Sequence, residues 1–269
     1  LLVRVLTGLV GIPLILSVIY LGHWPLFALV AGMGLIGFHE YVRLWAAKGV
    51  HVPYLLGAVF CLGLYAWAGL APNNATILGA LFAGAALSTL SWLVLHYPKR
   101  SVTDAAATLV GIVYVGWLFS HWLLLRNLSG GTGWDLGLKW LALALFCTWA
   151  ADSLAYFVGM SMGRRKLAPQ ISPGKSVEGA AGGAIGGVVV GWLMGGFVGI
   201  PSWQGAILGL LISPVSVLGD LAESALKRYV GVKDSGNLLP GHGGILDRFD
   251  SSLFVLPFVY YVASLLIMR

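Results

Sequence analysis

Apolar residues run along this chain in blocks longer than the core helices of a water-soluble domain need. A helix requires about 20 mostly apolar residues to cross the hydrocarbon layer of a bilayer. Such blocks recur at Val3–Leu21, Trp24–Phe38, Val52–Leu70, Ala75–Leu95, Ala105–Leu125, Trp140–Met160, Val177–Gly199, Gln204–Ala222 and Phe249–Met268, about nine in all. The second is short and has the least defined ends. No segment has the composition of a soluble domain or a long linker. The pattern predicts an all-α polytopic membrane protein of about nine transmembrane helices. Residues 1–138 hold about five spans, and residues 139–269 hold about four spans with their cytoplasmic loops. Arg4 precedes the first block, and no small-residue cleavage site follows it. That block therefore reads as a first membrane helix rather than a signal peptide. The chain begins at Leu1 rather than Met, so a short preceding piece is expected.

Composition sharpens the picture. The 269 residues are 58% hydrophobic and 10% charged, against about 25% charged in soluble domains. This excludes a soluble enzyme. The net charge of +6 invites a nucleic-acid reading, which the distribution of charge removes. Nine spans with the N-terminus on one side place Arg4, Arg43, Lys48, Lys99, Arg100, Arg164, Arg165, Lys166, Lys175, Lys227, Arg228, Lys233 and Arg248 on that side. Only Arg126, Lys139 and Arg269 fall on the other. Basic residues collect on the cytoplasmic side of membrane proteins. The N-terminus is thus expected inside and the C-terminus outside. Cys61 and Cys147 lie in apolar blocks without metal-ligand spacing and read as buried thiols.

In the seventh block Gly179, Gly183, Gly187, Gly191, Gly195 and Gly199 recur every fourth residue. That spacing makes a smooth ridge for a closely packed helix, within one subunit or between two.

Carboxylates are scarce. Of the ten, Asp152, Glu178, Asp220, Glu223, Asp247 and Asp250 sit in or beside the last four blocks on the predicted cytoplasmic side. An Asp inside an apolar helix costs about 2.5–3.5 kcal/mol on insertion scales and so marks a function or a buried pair. Asp220, Glu223, Ser224, Lys227 and Arg228 follow helical spacing and share a face. Asp247 and Asp250 share one if the last helix starts near Leu246. Carboxylates from two helix ends suit Mg²⁺, which prefers oxygen ligands and keeps water and substrate phosphates in its shell. Interfacial salt bridges, Asp247 with Arg248 included, are the alternative.

Two polar islands interrupt the apolar pattern. One is KDSGNLLPGHGGILDRFDS, from Lys233 to Ser251. Its Gly241, Gly243 and Gly244 let backbone approach an anion, and Lys233, His242 and Arg248 add positive charge. The other, GRRKLAPQISPGKSVEG from Gly163 to Gly179, is basic and turn-rich and leads into a helix N-terminus. Its Ser172–Ser176 turn carries Lys175. Either island alone is also compatible with a solvated cytoplasmic loop.

The stretch SALKRYVGVKDSGNLLPGHGGILDRFD, Ser224 to Asp250, resembles the signature of phosphatidate cytidylyltransferases, or CDP-diacylglycerol synthases. Every fixed position of that signature is met, from Ser224, Lys227 and Arg228 to Asp247, Arg248 and Asp250. Upstream, Asp152, Ser153, Tyr156, Gly159, Lys166, Leu167, Pro169, Ser172, Pro173, Lys175, Glu178 and Gly179 also match. Met160, Gly174 and Val177 depart from the usual pattern. The specific motifs cover about the last 120 residues.

The resemblance implies transfer of a cytidylyl group from CTP to phosphatidic acid, giving CDP-diacylglycerol and pyrophosphate in phospholipid biosynthesis. It implies a bacterial inner-membrane homodimer with a cytoplasmic active site, and no nucleic-acid partner. Under it Asp220 and Asp247 hold Mg²⁺, the number of cations, one or two, being left open, and Asp250 is a further ligand or neighbour. Lys227, Arg228, Lys233 and Arg248 neutralise phosphates, and His242 contacts one. Ser224 and the Gly243–Gly244 backbone position them. Ser172 and Lys175 form an opposite wall, and Asp152 and Glu178 are secondary candidates. A CTP-dependent polyprenol kinase would share the nucleotide but release CDP. A cytidylyltransferase for archaeal ether lipids is closer still, although those chains are shorter. CDP-alcohol phosphotransferases need an Asp-Gly-x-x-Ala-Arg motif that this chain lacks. A transporter would not confine such a cluster to one face.

Overall fold

The computed structural model describes residues 13–128, 135–236 and 243–267. Residues 13–21 are helical. The helices that follow are α1 (His23–Ala47), α2 (Tyr54–Leu70), α3 (Ala75–Leu95), α4 (Val102–Gly111), α5 (Leu118–Arg126), α6 (Leu136–Met162), α7 (Val177–Val198), α8 (Ser202–Val230) and α9 (Leu246–Ile267). A π-helical turn, Ile112–Trp117, joins α4 to α5. Between α6 and α7 lies an antiparallel hairpin of β1 (Lys166–Ala168) and β2 (Ser172–Ser176).

Seven helical runs among the described residues are long and apolar enough to cross a membrane: α1, α3, Val102–Arg126 as one run, α6, α7, α8 and α9. At 17 residues α2 is shorter, and the first predicted span, Val3–Leu21, lies partly outside the described residues. Large apolar side chains such as Leu193, Leu218 and Leu265 remain exposed, as lipid-facing residues do.

Two predicted helix ends and one predicted turn change most. The span expected at Trp24–Phe38 runs to Ala47 as α1, and the one expected at Gln204–Ala222 runs to Val230 as α8. In both cases a charged residue, Glu40 or Glu223, lies inside the helix, and both are buried. The Ser172–Ser176 turn is a strand of the hairpin.

The chain divides into two units. The first comprises the described residues up to Asn127 and Tyr229–Arg248. Its core is aromatic and aliphatic, with Phe38, Tyr41, Tyr65, Ile112, Val115 and Phe119 buried. The π-turn has a local cause and a local remedy. Gly111 and Gly116 let it lie against Tyr41 and Cys61, and the Tyr65 hydroxyl donates to the Val115 carbonyl at 3.0 Å, satisfying an acceptor of the irregular turn. A capping box of Ser101 and Asp104 starts α4. The Asp104 carboxylate also accepts the His51 N–H at 2.7 Å, tying the loop after α1 to that cap.

Arg126 is fully buried at the end of α5. Its Nε donates to the Ile19 carbonyl at 2.7 Å and its Nη2 to the Tyr20 carbonyl at 3.2 Å, capping the helix of residues 13–21. Losing these partners strands the buried Ile19 carbonyl at about 1–3 kcal/mol. Arg126→Met is expected to lower the thermal unfolding temperature of the detergent-solubilised protein while leaving kcat per folded molecule unchanged. A wild-type melting curve would contradict this.

The second unit comprises Leu128 and the described residues from Asp135 to Arg228 and from Phe249 to Ile267. Ser176 caps α7 by accepting the Gly179 N–H at 3.1 Å. The glycine ridge of α7 serves two neighbours inside this unit. Gly183 and Gly186 bring it onto the Ala151 and Ala150 carbonyls of α6, and Gly187 and Gly191 bring it onto Gly209 and Gly205 of α8. Side chains at these positions would collide with backbone, so small residues are what permits this packing.

Candidate active site

In the second unit, acidic and basic side chains from four elements meet. Asp152 stands on α6, Lys175 on β2, Asp220, Ser224, Lys227 and Arg228 on α8, and Asp250 on α9. The Lys175 ammonium lies 2.7 Å from Asp220 Oδ2. Ser224 Oγ donates to Asp220 Oδ1 at 3.2 Å. Ser216, one turn before Asp220, donates to Asp152 Oδ1 at 2.8 Å. Asp250 lies within electrostatic reach of Asp220, Asp152 and Lys227. Lys227 Nζ is 2.5 Å from the buried Glu223, and Arg228 Nε donates to the Ile171 carbonyl of the hairpin turn at 3.2 Å.

Close approach of α8 and α9 depends on Gly219. A Cβ there would sit 2.6 Å from the Asp250 carbonyl oxygen and 3.0 Å from Ser251 Cα. The glycine therefore lets the backbones carrying Asp220 and Asp250 come together.

The hairpin is fastened to α7 by Glu178, whose carboxylate accepts the Arg164 N–H at 3.0 Å and the Arg165 N–H at 3.1 Å. Its carboxylate thus orders the hairpin backbone, alongside the favourable position of an acid in the first turn of a helix. Ser172 stands at the start of β2 and is half-buried.

In the first unit, Asp247 occupies the first turn of α9. Its carboxylate accepts the Gly244 N–H at 2.8 Å and the Ser235 N–H at 3.0 Å, both at Oδ2. Gly243 has a φ of +83°, and a Cβ there would lie 2.7 Å from Asp247 Oδ2. This glycine is required by both conformation and space. Lys233 and Arg248 are exposed. His242, together with Gly241, lies outside the described residues.

Asp152, Asp220 and Asp250 in the second unit, and Asp247 in the first, each offer only oxygen. Among the described residues, no three His, Cys, Asp or Glu side chains are gathered closely enough to hold a metal ion by themselves. Carboxylate oxygen is the donor type of a hard cation such as Mg²⁺, which takes one or two carboxylates and completes its shell with water and substrate phosphate.

Sequence reasoning passed over Ser216, Ser235, Gly219 and Glu40. Only Glu40 carried a signal, as a carboxylate at the edge of an apolar block.

A sequence profile of the cytidylyltransferase family matches residues 2–266. The chain is 37% identical to the phosphatidate cytidylyltransferase of Bacillus subtilis, covering 97% of each chain. It is likewise 37% identical to that of Synechocystis sp., over 98% of this chain and 97% of the relative. The enzyme of the same name from Staphylococcus aureus is 36% identical over 95% of this chain and 96% of its own. Similarity from end to end, in a chain that also carries the full Ser224–Asp250 pattern, shows that the chain belongs to the phosphatidate cytidylyltransferase family.

Proposed function

We propose that the protein transfers the cytidylyl group of CTP to phosphatidic acid, releasing pyrophosphate and forming CDP-diacylglycerol. The observation that carries this reading is the 37% identity to phosphatidate cytidylyltransferases over nearly the whole chain. A phosphate oxygen of phosphatidic acid attacks the α-phosphorus of CTP. The bond from that phosphorus to the α–β bridging oxygen breaks, and the electron pair leaves with pyrophosphate. The attacking oxygen is already ionised near neutral pH, so no strong general base is required. The barrier lies in bringing two anions together and in the charge that builds on the leaving group, both of which fixed positive charge lowers.

The residues follow from that need. Asp220 and Asp247 are the proposed Mg²⁺ ligands, with Asp250 a further ligand or neighbour. When bound, the cation supplies positive charge to the phosphates and the leaving pyrophosphate. Lys175 already places an ammonium beside Asp220, which keeps positive charge where phosphate must bind. Lys227, Arg228, Lys233 and Arg248 neutralise phosphate oxygens, His242 contacts one of them, and Ser172 lines the wall that carries Lys175. The paired Ser224 and Asp220 orient each other. Gly243 and Gly244 shape the turn that presents Asp247. Glu178 and Asp152 order the hairpin and α8 through Arg164, Arg165 and Ser216.

The protein is further proposed as a homodimer of nine-span chains in the bacterial inner membrane, with the N-terminus and the active site cytoplasmic and the C-terminus outside. The distribution of Lys and Arg supports that orientation.

Incubation of the purified protein with labelled CTP, phosphatidic acid and Mg²⁺ is expected to yield labelled CDP-diacylglycerol and unlabelled pyrophosphate from CTP carrying the label in its nucleoside. Labelled CDP, with a phosphorylated polyprenol formed when that acceptor is added, would move the assignment to a lipid kinase. No turnover with either lipid would overturn an enzymatic reading.

A further inference from the structure

Glu40 lies in the body of α1 and is 4% exposed. A buried carboxylate needs donors around it, because desolvation otherwise penalises its charge heavily. The donors come from far along the chain. The Ile245 N–H reaches Oε1 at 2.9 Å, and the Leu246 N–H reaches Oε2 at 2.9 Å. Ser235 Oγ donates to Oε2 at 3.4 Å. Gly236 and Gly244 make room, since a Cβ at either would lie 2.6 Å from Glu40 Oε1. Gly37, almost one turn earlier on α1, admits the Leu246 side chain.

Asp247 completes the arrangement. The N–H groups of Gly244, Ile245 and Leu246 are consecutive, and two carboxylates take all three: Asp247 the first, Glu40 the next two. Ser235 is shared in the same way, its N–H going to Asp247 and its Oγ to Glu40. A helix N-terminus with free N–H groups attracts phosphate. At the start of α9 the protein's own carboxylates already occupy the N–H groups of residues 244–246, so these three are not offered to a phosphate.

We propose that Glu40 is a positioning residue for the reaction, clamping the backbone at 244–246 and Ser235 so that Asp247 is held in one orientation. The proposal rests on the reading of Asp247 as a cation ligand. Residues that orient a metal ligand typically change affinity or activity by about 10–100-fold when removed.

The test uses the purified full chain. In the wild type, hydrogen–deuterium exchange is expected to be slow at the amides of Ile245 and Leu246, and fast exchange there overturns the proposal without any variant. In Glu40→Ala, exchange at both amides is expected to accelerate. Affinity for Mn²⁺, read by electron paramagnetic resonance as a probe for Mg²⁺, is expected to fall about 10-fold or more, and kcat to fall similarly. Glu40→Gln keeps one acceptor oxygen and the size of the side chain. It is expected to fold as wild type and to give intermediate values, restoring part of the Mn²⁺ affinity that Glu40→Ala loses; it also carries the test if the alanine variant does not fold. A purely structural role would change the yield or melting temperature but leave Mn²⁺ affinity and kcat per folded molecule at wild-type values, and that result overturns the proposal. Asp247→Asn is measured beside these variants. Retained Mn²⁺ affinity and activity in Asp247→Asn would refute the reading of Asp247 itself. Their loss there, with Glu40→Ala at wild-type values, would refute only the role of Glu40.

Discussion

Asp247→Asn is expected to abolish measurable turnover while leaving a folded protein of unchanged melting temperature. The substitution is informative because the backbone contacts of this side chain need an acceptor oxygen, whereas the proposed hold on a cation needs its charge. Both backbone contacts can be kept by a single oxygen, since Oδ2 accepts the Gly244 N–H at 2.8 Å and the Ser235 N–H at 3.0 Å. An asparagine with its carbonyl oxygen in the Oδ2 position preserves both. What it loses is the negative charge and the longer contact of Oδ1 with the Ser235 N–H at 3.3 Å. If that charge holds a cation against substrate phosphates, its loss removes several kcal/mol of transition-state stabilisation, on the order of a thousandfold or more in kcat. Measured by release of labelled pyrophosphate from γ-labelled CTP, with unchanged exchange at the Gly244 amide as the check on the fold, the variant should be inactive. Activity within tenfold of wild type would mean that Asp247 only caps α9.

The membrane class, most of the helices and the polar face of α8 were legible in the sequence because each rests on local regularities. Apolar block length predicts a spanning helix wherever no charge interrupts it. Helical spacing predicted that Asp220 and Ser224 share a face, and Ser224 does donate to Asp220. The condition set on Asp247 and Asp250, a helix beginning near Leu246, is met by α9. The misjudged bounds have one physical origin. Hydropathy treats a charged residue as the end of a span, but a helix continues when the charge finds partners. Glu40 finds the N–H groups of Ile245 and Leu246, and Glu223 finds Lys227. The first set of partners lies some 205 residues away, so no local window could reveal it. The β2 strand escaped for a related reason, since five residues of SPGKS have no alternation and depend on pairing with β1. The glycine ridge was visible as a period of four, but its two occupants, α6 and α8, follow only from the packed structure.

Gly219 is one of 38 glycines, and nothing in its immediate sequence separates it from the rest. Its position opposite α9 does. Gly219→Val is expected to cut kcat by about two orders of magnitude, the loss that a displacement of about 1 Å causes at a reacting centre. The added Cβ would fall 2.6 Å from the Asp250 carbonyl and 3.0 Å from Ser251 Cα. Both are backbone atoms, so no rotamer change relieves the contact and α8 must move away from α9. That movement carries Asp220, the next residue, away from Asp250. Gly219→Ala should show the same effect to a smaller degree. Gly196, on α7, provides the control, because a Cβ there meets nothing within 4 Å. Gly196→Ala removes the entropic cost of glycine in a helix, about 1 kcal/mol, and should retain wild-type kcat with equal or higher thermal stability. The decisive comparison is kcat per folded molecule for the three variants. A loss confined to position 219 ties the spacing of Asp220 and Asp250 to turnover. Equal activity in Gly219→Val and Gly196→Ala would mean that the two carboxylates need not be held at this separation, and would leave Asp250 outside the reaction.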